Sequence, residues 1–372
     1  MAEHIFAEST HSAPSFVVVG AGNGGQAMAG FLAMRGFSVN LWNRSNRTID
    51  RINELGGIQL EGHYSGFSIP NLVTDDMGEA LDGARVIMVT VPASAHSAVA
   101  RAMAKSLQDG QIVVLNPGRT GGAFAFKRDL EQAGCRAQVT LAEAGTFIYA
   151  SRTKAPGRSH VYGVKNHVCV AALPATDTMD VLRAIRPAFP QFIPAESVLA
   201  TSLDNIGALF HPAPTLLNAG RIENNETYDH YKTGISPAVA NLIQKMDEER
   251  LAIAEALGTG ARSVLEWLKD TYGVTGKDLY SAIQDNPAYD SITAPKTLDT
   301  RYIHEDVPFS LIPLIALGKI AGVATPVLRT VVSLADSMLG CDFRASGRGA
   351  EEMGIAGLDA GQVSRMALEG VR

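Results

Sequence analysis

The stretch "VVVGAGNGGQ" places three glycines in a GxGxxG pattern, directly after an apolar run and directly before a helical pattern. Gly20 allows a tight turn, Gly22 lets the backbone approach a pyrophosphate, and Gly25 allows the helix to pack close to the strand. Amides at the start of such a helix bind anionic groups. The pattern predicts a dinucleotide site, and the alternative is a glycine-rich turn without a ligand. The residues expected to contact the cofactor here are Gly20, Gly22, Asn23, Gly24 and Gly25.

The residues after the second apolar run bear on which dinucleotide is bound. An Asp or Glu commonly lies there and binds the ribose of NAD, whereas this chain has Asn43, Arg44, Ser45 and Arg47. A guanidinium forms paired, charge-assisted hydrogen bonds with a phosphate, and Asn43 and Ser45 can add neutral ones. We therefore expect NADP(H) to be preferred, with NAD(H) also accepted. The alternative is that Arg44 and Arg47 are solvated charges on a surface loop.

Two further turns follow β-type runs and are candidates for cofactor contact. Pro92 lies in "TVPASAH", and Asn116 and Pro117 lie in "LNPGRTGG". Open α/β sheets bind ligands at the carboxyl ends of their strands, where these turns are expected. Each segment could equally be a turn without a ligand.

These motifs require strands that end at one edge of a sheet, and the first half of the chain has that pattern. Apolar runs alternate with helical patterns, which predicts parallel strands covered by helices on both faces. The expected fold class is α/β, with an N-terminal Rossmann domain (doubly wound, mainly parallel sheet) followed by a mostly α-helical C-terminal domain. The predicted strands are "FVVV", "SVNLW", "RVIMVTV", "QIVVLN" and "AQVTLAEA", with helices near 26–35, 48–55 and 97–107 and from 123.

The pattern changes near residue 195. Before it, "HVYGVKNHVCVAAL" predicts two strands around a Lys165-Asn166 turn, and after it amphipathic helices such as "AVANLIQKMDEERLAIAEALG" dominate. Arg250 interrupts the apolar face of that helix, either as an anion contact between domains or as a side chain that reaches out to solvent. We assign 1–14 to a disordered tail, 15–195 to the Rossmann domain and 196–372 to a helical domain that carries substrate-binding and catalytic residues.

The composition excludes several classes of function. The net charge is −6 and Lys and Arg are scattered, so the basic patch of a nucleic-acid-binding protein is missing. No apolar run reaches the roughly 18 residues of a membrane span, and the first residues lack a signal-peptide pattern. Cys135, Cys169 and Cys341 lie far apart, and no cluster has metal-ligand spacing. These features predict a cytoplasmic protein without nucleic-acid, membrane or metal partners.

Several segments together resemble the octopine and nopaline dehydrogenase family of opine dehydrogenases, including the bacterial carboxyethyl-norvaline type. They are the glycine fingerprint, "VPASAH", "LNPGRTGGAF", "AEAGTFIYASR", "LDNIGALFHPAPTLLN" and "DTRYIHEDVPFSL", and the likeness extends from about Phe16 to the C-terminus. The resemblance implies reductive condensation of an α-keto acid with the amino group of an amino acid by a reduced nicotinamide cofactor. The partners would then be small-molecule substrates, and a homodimer is compatible with this assignment.

Imine formation and reduction require a group that transfers protons near neutral pH, and histidine suits that role. The resemblance assigns it to His211 in "LFHPAP". Pro212 disfavours an α conformation at His211, so a helix that arrives there should end or kink. A core or capping histidine is the alternative function of His211, and His96 and His304 are the alternative catalytic histidines.

The segment "RYIHEDVP" supplies two further residues that the resemblance assigns to the reaction. Asp306 matches the carboxylate that orients the histidine, although sequence spacing does not separate it from Glu305. Arg301 matches an arginine that binds a substrate carboxylate, and a domain-stabilising ion pair is its alternative role.

Weaker candidates lie elsewhere in the chain. Thr146, Tyr149 and Asn205 are expected to bind substrate, with Glu143 at the end of a strand nearby. Two other functions remain open at this point. One is a ketone reductase of the ketopantoate or hydroxyacid dehydrogenase type, which needs no amine, and the other is a nucleotide-sensing protein without catalysis.

Overall fold

A computed structural model describes residues 15–371, so the predicted disordered tail at 1–14 lies outside the described residues. In this part of the chain, no helix is both long and apolar enough to cross a membrane. Its strands form two sheets. They are β1 (Phe16–Val19), β2 (Val39–Trp42), β3 (Ile58–Gly62), β4 (Gly66–Ser68), β5 (Leu72–Thr74), β6 (Val86–Val89), β7 (Ile112–Leu115), β8 (Thr140–Ala144), β9 (Tyr149–Ala155), β10 (Arg158–Val164), β11 (Val168–Leu173) and β12 (Phe192–Pro194).

The larger sheet has eight strands in the order β12-β11-β8-β7-β6-β1-β2-β5. Neighbours in it run parallel, except for the antiparallel pair β8 and β11. Every residue of the central strands β1, β6 and β7 is buried, as expected for parallel strands covered on both faces. The sheet confirms the predicted doubly wound, mainly parallel Rossmann domain.

The smaller sheet, in the order β4-β3-β10-β9, did not follow from the sequence pattern. Its strands are three to seven residues long, and several alternate between buried and exposed positions, so their apolar signal is weak. The two predicted strands around Lys165 and Asn166 do not pair with each other. β10 lies in the smaller sheet and β11 lies in the larger one.

Helices of the first half cover the sheets, and helices of the second half pack in a core that also includes Ala123, Phe124, Ala171 and Leu173 of the first half. The first group comprises α1 (Asn23–Met34), α2 (Asn46–Leu55), α3 (Met77–Leu81), α4 (His96–Met103), α5 (Gly122–Gln132) and α6 (Thr178–Ile185). The second comprises α7 (Val198–Leu203), α8 (Gly207–Phe210), α9 (Pro212–Leu217), α10 (Ala219–Glu223), α11 (Pro237–Ala256), α12 (Val264–Tyr272), α13 (Leu279–Gln284), α14 (Arg301–His304), α15 (Ile312–Ile320), α16 (Pro326–Leu339), α17 (Phe343–Ser346) and α18 (Ala360–Glu369).

The long helix α11 is the centre of the helical domain. It begins with Pro237 at its first position, and the Ser236 hydroxyl accepts a hydrogen bond from the amide of Val239, two features that favour a helix start. Ile243 and Ile253 are fully buried on its inner face. Burial of this apolar face stabilises the domain far more than helix propensity does.

Arg250 has neither of the two roles expected for it. Its side chain is completely buried and donates to the Asp247 carboxylate (Nε to Oδ1, 3.0 Å) and to the backbone carbonyls of Leu203 and Arg262. A buried charge is tolerated when it is paired and fully hydrogen-bonded. Arg250 therefore ties α11 to the end of α7 and the start of α12, inside the helical domain.

Candidate active site

The turn after β1 requires glycine at two positions. Gly20 has a φ of +109°, a left-handed value that favours glycine. A Cβ atom on Gly25 would lie 1.6 Å from the carbonyl oxygen of Gly20, so no side chain fits there. The hydroxyl of Thr90, just after β6, donates to the same carbonyl oxygen at 3.0 Å. β1, α1 and the end of β6 therefore meet in a closely packed turn.

The N-terminus of α1 is arranged to accept an anion. Its N-cap, Gly22, provides no capping side chain, and the first turn has no acidic residue. The first amides of a helix lack intrahelical acceptors and attract negative charge. A Cβ on Gly24 would lie 2.6 Å from the Phe147 ring, so that ring lies against the turn. The Asn23 side chain is used elsewhere, because its Oδ1 accepts from the amide of Thr153 (2.8 Å).

Asn43 and Arg44 have different surroundings at the end of β2. Asn43 Oδ1 accepts from the amide of Ala21 (3.0 Å), and its Nδ2 donates to the carbonyl of Ser45 (3.3 Å). Asn43 therefore connects the second strand to the glycine turn. The Arg44 side chain is exposed and has no ion pair with another described residue, so its guanidinium is free to bind a phosphate beside the ribose.

The predicted cofactor contacts at Pro92, Asn116 and Pro117 lie at the same edge of the sheet, because β6 and β7 pair in parallel. The Asn116–Pro117 peptide bond is cis. Asn116 Nδ2 donates to the carbonyl of Val114 (2.8 Å), whereas its buried Oδ1 has no partner among residues 15–371. A buried acceptor without a donor is costly, so this atom suits a donor from a bound ligand such as a nicotinamide carboxamide. The turn and this edge together fit a dinucleotide.

His211 lies next to Asp306 although 95 residues separate them. Its Nδ1 is 2.8 Å from Asp306 Oδ2, and its ring stacks on Tyr302 at 4.1 Å between centroids and an angle of 3°. Helix α8 ends at Phe210 and α9 begins at Pro212. The helix is therefore interrupted at His211, as expected, although His211 keeps α-type dihedral angles (φ −100°, ψ −59°). The stacked tyrosine and the carboxylate together fix the orientation of the ring.

Arg119 completes this arrangement and was not identified from the sequence. Its guanidinium pairs with Asp306 (Nη1 to Oδ1, 3.0 Å) and with Glu305 (Nη2 to Oε2, 3.2 Å). Burial alone would raise the pKa of Asp306, but Arg119 and His211 together bring it below its usual value. Asp306 is therefore an anion beside the imidazole. The signal available in the sequence was a single charged residue among the proline and glycines of "LNPGRTGG". In the structure Arg119 has a φ of +61°, which is unusual for a residue other than glycine.

The structure distinguishes Asp306 from Glu305, which the sequence could not. Glu305 accepts from Arg119 and, at 3.4 Å, from the amide of Ala93. Only Asp306 contacts His211. Glu305 therefore links the helical domain to the turn after β6.

The two alternative histidines have other surroundings. His96 is buried beside Arg348, and burial followed by the charge of Arg348 lowers the pKa of His96 to about 3. It therefore remains neutral at physiological pH. His304 is 3.1 Å from Asp299 at the surface, through its Nε2. Neither ring contacts Asp306.

Arg301 begins α14, and its side chain is exposed. The described residues offer it no carboxylate partner, so the alternative of a domain-stabilising ion pair does not apply. Its charge acts on Asp306 and on Tyr302, both of which lie at the histidine. Arg301 is thus an unpaired cation whose charge acts on the carboxylate that contacts His211.

Asn205 and Glu143 connect the two domains at the loop that follows β7. Asn205 Nδ2 donates to Ser310 Oγ (2.9 Å) and to Thr120 Oγ1 in the loop (3.4 Å). Glu143 Oε1 accepts from Thr201 (2.6 Å) and Ser202 (2.9 Å). Ser202 Oγ in turn accepts from the amide of Gly121 at 2.9 Å. These contacts give Asn205 and Glu143 clear positioning roles for the loop that carries Arg119.

The other two substrate-site candidates differ in their surroundings. Tyr149 is buried in an aromatic cluster with Phe31, Tyr64 and Phe189, and its role as a substrate contact stays a prediction. Thr146 lies two residues beyond β8 and accepts a hydrogen bond from Lys165 (2.6 Å).

Arg348, from the segment after α17, binds the backbone of the same loop. The sequence did not identify this residue either. Its Nη1 donates to the carbonyls of Gly118 (3.1 Å) and Thr120 (2.8 Å), about 230 residues away in the chain. A Cβ on Gly118 would lie 2.2 Å from Glu143 Oε2, so the loop is packed tightly at this point. The C-terminal segment therefore supports the loop that presents Arg119 to Asp306.

Similarity to known proteins agrees with these features. Residues 194–339 match the model of the NAD/NADP octopine/nopaline dehydrogenase alpha-helical domain, and residues 15–118 match that of the NAD-dependent glycerol-3-phosphate dehydrogenase N-terminus. An opine dehydrogenase of Arthrobacter sp. (strain 1C) is 40% identical over 356 residues, which cover 95% of this chain and 99% of that protein. The chain belongs to the opine dehydrogenase family. It is thus an oxidoreductase that acts on CH–NH donors and uses a nicotinamide dinucleotide.

Two solved structures share the fold of the enzyme. Octopine dehydrogenase with NADH and L-arginine has a TM-score of 0.79 and 25% identity, and the match covers 92% of this chain and 96% of that chain. Yersinopine dehydrogenase with NADP+ has a TM-score of 0.73 and 16% identity, covering 95% and 97%. The family, the fold class and the enzyme class predicted from the sequence are confirmed.

Proposed function

We propose that the enzyme reduces the imine formed between an α-keto acid and the amino group of an amino acid, and that it prefers NADPH to NADH. The contact of 2.8 Å between His211 and the buried anion Asp306, with Arg119 behind the carboxylate, is the observation that supports this most directly. The unpaired guanidinium of Arg301, whose charge acts on Asp306, supports a carboxylate-bearing substrate.

His211 is the proposed general acid and base. Donation of Nδ1–H to Asp306 leaves Nε2 as the ring atom that faces substrate. The neutral ring removes a proton from the substrate ammonium, and the amine then adds to the ketone carbon. A proton moves from the new ammonium nitrogen to the oxygen, which gives a carbinolamine with a hydroxyl group. The imidazolium returns the proton to the hydroxyl group, which leaves as water and gives the iminium. A bound reduced nicotinamide supplies the hydride that the iminium carbon accepts.

The other residues hold the reacting groups in place. Asp306 stabilises the imidazolium while it carries the proton, as the carboxylate of a hydrolase triad does. Arg301 is proposed to bind a substrate carboxylate through paired hydrogen bonds. Asn205 contacts the loop of Arg119 through Thr120 (Nδ2 to Oγ1, 3.4 Å), so it acts on the reaction indirectly.

The reaction is tested by the dependence of cofactor oxidation on both substrates. NADPH and NADH oxidation would be followed with pyruvate, oxaloacetate or 2-oxoglutarate, each against a panel of amino acids. The proposal requires oxidation to depend on a keto acid and an amine together. Oxidation with the keto acid alone at the full rate would instead indicate a ketone reductase. Tight NADPH binding without turnover on any pair would indicate a nucleotide-sensing protein.

Replacement of Arg44 by Asp should invert the preference between the two cofactors. The aspartate would repel a ribose phosphate and accept a hydrogen bond from a ribose hydroxyl, so the KM for NADPH should rise by about 10- to 100-fold, while that for NADH changes little or falls. The matched control is Arg51→Asp. That side chain is exposed on α2, seven residues further along the chain, and pairs with Glu54. An unchanged NADPH to NADH ratio in Arg44→Asp would contradict the proposed preference.

A further inference from the structure

Thr146 and Lys165 form a polar pair at the ligand-binding edge of the larger sheet. Thr146 is two residues beyond β8, whose end lies beside the end of β7 because Leu115 is opposite Glu143. Lys165 directly follows β10, and its ammonium donates to Thr146 Oγ1 at 2.6 Å. The backbone amide of Lys165 donates to the carbonyl of Ile148 (3.0 Å), which fixes the base of the side chain.

Two neighbours place this pair between the cofactor turn and the catalytic residues. On one side Phe147, the residue after Thr146, packs against Gly24 in the glycine turn. On the other side Arg119 is near enough for its charge to act on Lys165. Arg119 is itself the partner of Asp306, which holds His211. The Lys165 ammonium therefore lies on the Rossmann side of the region where cofactor and substrate must meet.

Lys165 carries a charge for which the described residues supply no counter-ion. The groups that face it are the neutral hydroxyl of Thr146 and the cationic Arg119, with no carboxylate at ion-pair distance. The Lys165 side chain is exposed to solvent, but nearby protein atoms partly desolvate its ammonium group. Partial desolvation, followed by repulsion from Arg119, lowers the pKa of Lys165 to about 8. A cation in this position gains most from an anion that arrives with a ligand.

The chemistry of the proposed reaction calls for two such cations. An imine between an α-keto acid and an α-amino acid has two carboxylates, and Arg301 on the helical domain can bind only one of them. The carbon that accepts the hydride comes from the keto acid and must lie against the cofactor. Its own carboxylate is therefore the one closer to the Rossmann domain, where Lys165 and Thr146 lie.

We infer that Lys165, positioned by Thr146, binds the carboxylate of the α-keto acid. This inference rests on the proposed function. It assigns the two substrate carboxylates to opposite walls of the site, with the keto acid on Lys165 and the amino acid on Arg301. The enzyme would accordingly select 2-oxo acids over ketones that lack a carboxylate at this position.

The first test measures binding without turnover. Oxamate has the shape and charge of pyruvate but does not accept a hydride, so its affinity for the enzyme with NADPH reports on the anion site alone. Loss of a charge-assisted hydrogen bond should weaken oxamate binding by roughly 10- to 100-fold in Lys165→Met, and by a smaller factor in Thr146→Val, which keeps the charge. Failure of the wild-type enzyme to bind oxamate, or equal binding by Lys165→Met, would overturn the inference.

The second test uses steady-state kinetics with both substrates. Lys165→Met should raise the KM for the keto acid by a similar factor and leave the KM for the amino acid and the Kd for NADPH nearly unchanged. The wild-type KM for the keto acid should also rise above pH 8, because the ammonium is lost as the pH rises through its pKa. A rise in the Kd for NADPH instead would assign Lys165 to the cofactor and refute the inference.

Two variants of the same hairpin serve as comparisons. Lys154→Met removes an exposed lysine that pairs with Glu61 (2.6 Å) and should leave all constants unchanged. Arg152→Met removes an exposed cation on β9 whose charge acts on Tyr302. If Arg152→Met alone raised the KM for the keto acid, the anion site would lie at Arg152 and not at Lys165.

If no keto acid and amino acid pair were turned over while Lys165→Met still lost oxamate binding, the proposed reaction would fail and the anion site would stand.

Discussion

Replacement of His211 by alanine should lower kcat by roughly 10²- to 10⁴-fold, the usual contribution of a positioned general acid and base. The variant keeps the proposed cofactor contacts, namely the glycine turn, Asn116 at the edge of the larger sheet, and Arg44. Its Kd for NADPH should therefore stay within about twofold of wild type. The step expected to slow is proton transfer to the departing hydroxyl group. No other described histidine contacts Asp306, so none can replace His211 in that step. The measurement is single-turnover oxidation of NADPH with both substrates saturating.

Matched variants separate loss of the proton carrier from loss of structure. His304→Ala removes an exposed histidine near the same segment and should keep full turnover. Asp306→Asn keeps the shape but removes the charge that stabilises the imidazolium, so it should also lower kcat strongly. Tyr302→Phe keeps the ring stacked on His211 and should change little. Turnover near wild type in His211→Ala would remove the imidazole from the mechanism.

The parts of the site that the sequence alone predicted are those built by local backbone geometry. The glycine turn could be recognised because Gly20 needs a left-handed φ and Gly25 touches the carbonyl of Gly20, both within one short segment. The uncapped N-terminus of α1 was predictable from the same segment, because its N-cap residue is Gly22. The alternation of apolar strands and helices likewise made the larger sheet predictable, since its central strands are buried on both faces.

The parts that the sequence did not predict depend on residues far apart in the chain. Neither Arg119 nor Arg348 has a local pattern that names its partner, since Asp306 lies 187 residues beyond Arg119. The dyad of His211 and Asp306 came from likeness to a family and not from spacing. The smaller sheet was not predicted, because its short, half-exposed strands pair with strands far away in the sequence, as β3 does with β10.

Arg119→Met should produce the largest loss of stability among the substitutions considered. Arg119 is the cation between two buried carboxylates, and removal of one partner from such a group costs about 3–5 kcal/mol because the remaining charges stay buried without compensation. Turnover should fall as well, because Asp306 would lose the neighbour that keeps it ionised beside His211. Calorimetric melting temperature and kcat are the two measurements. Arg51→Met, at an exposed ion pair with Glu54, is the control and should cost less than about 1 kcal/mol.

The pH dependence of this loss tests its electrostatic origin. In the wild type the lowered pKa of Asp306 contributes stability above the pKa of the unfolded chain, and this is lost only as the pH falls toward the folded value. Without Arg119, burial and repulsion from Glu305 should raise the pKa of the pair, so that the penalty grows as the pH rises. The melting temperatures of wild type and Arg119→Met should thus differ more at pH 8 than at pH 5. Glu305→Gln in the same variant should restore part of the stability by removing one buried negative charge. An equal difference at both pH values, or no restoration by Glu305→Gln, would mean that Arg119 stabilises the enzyme by packing alone.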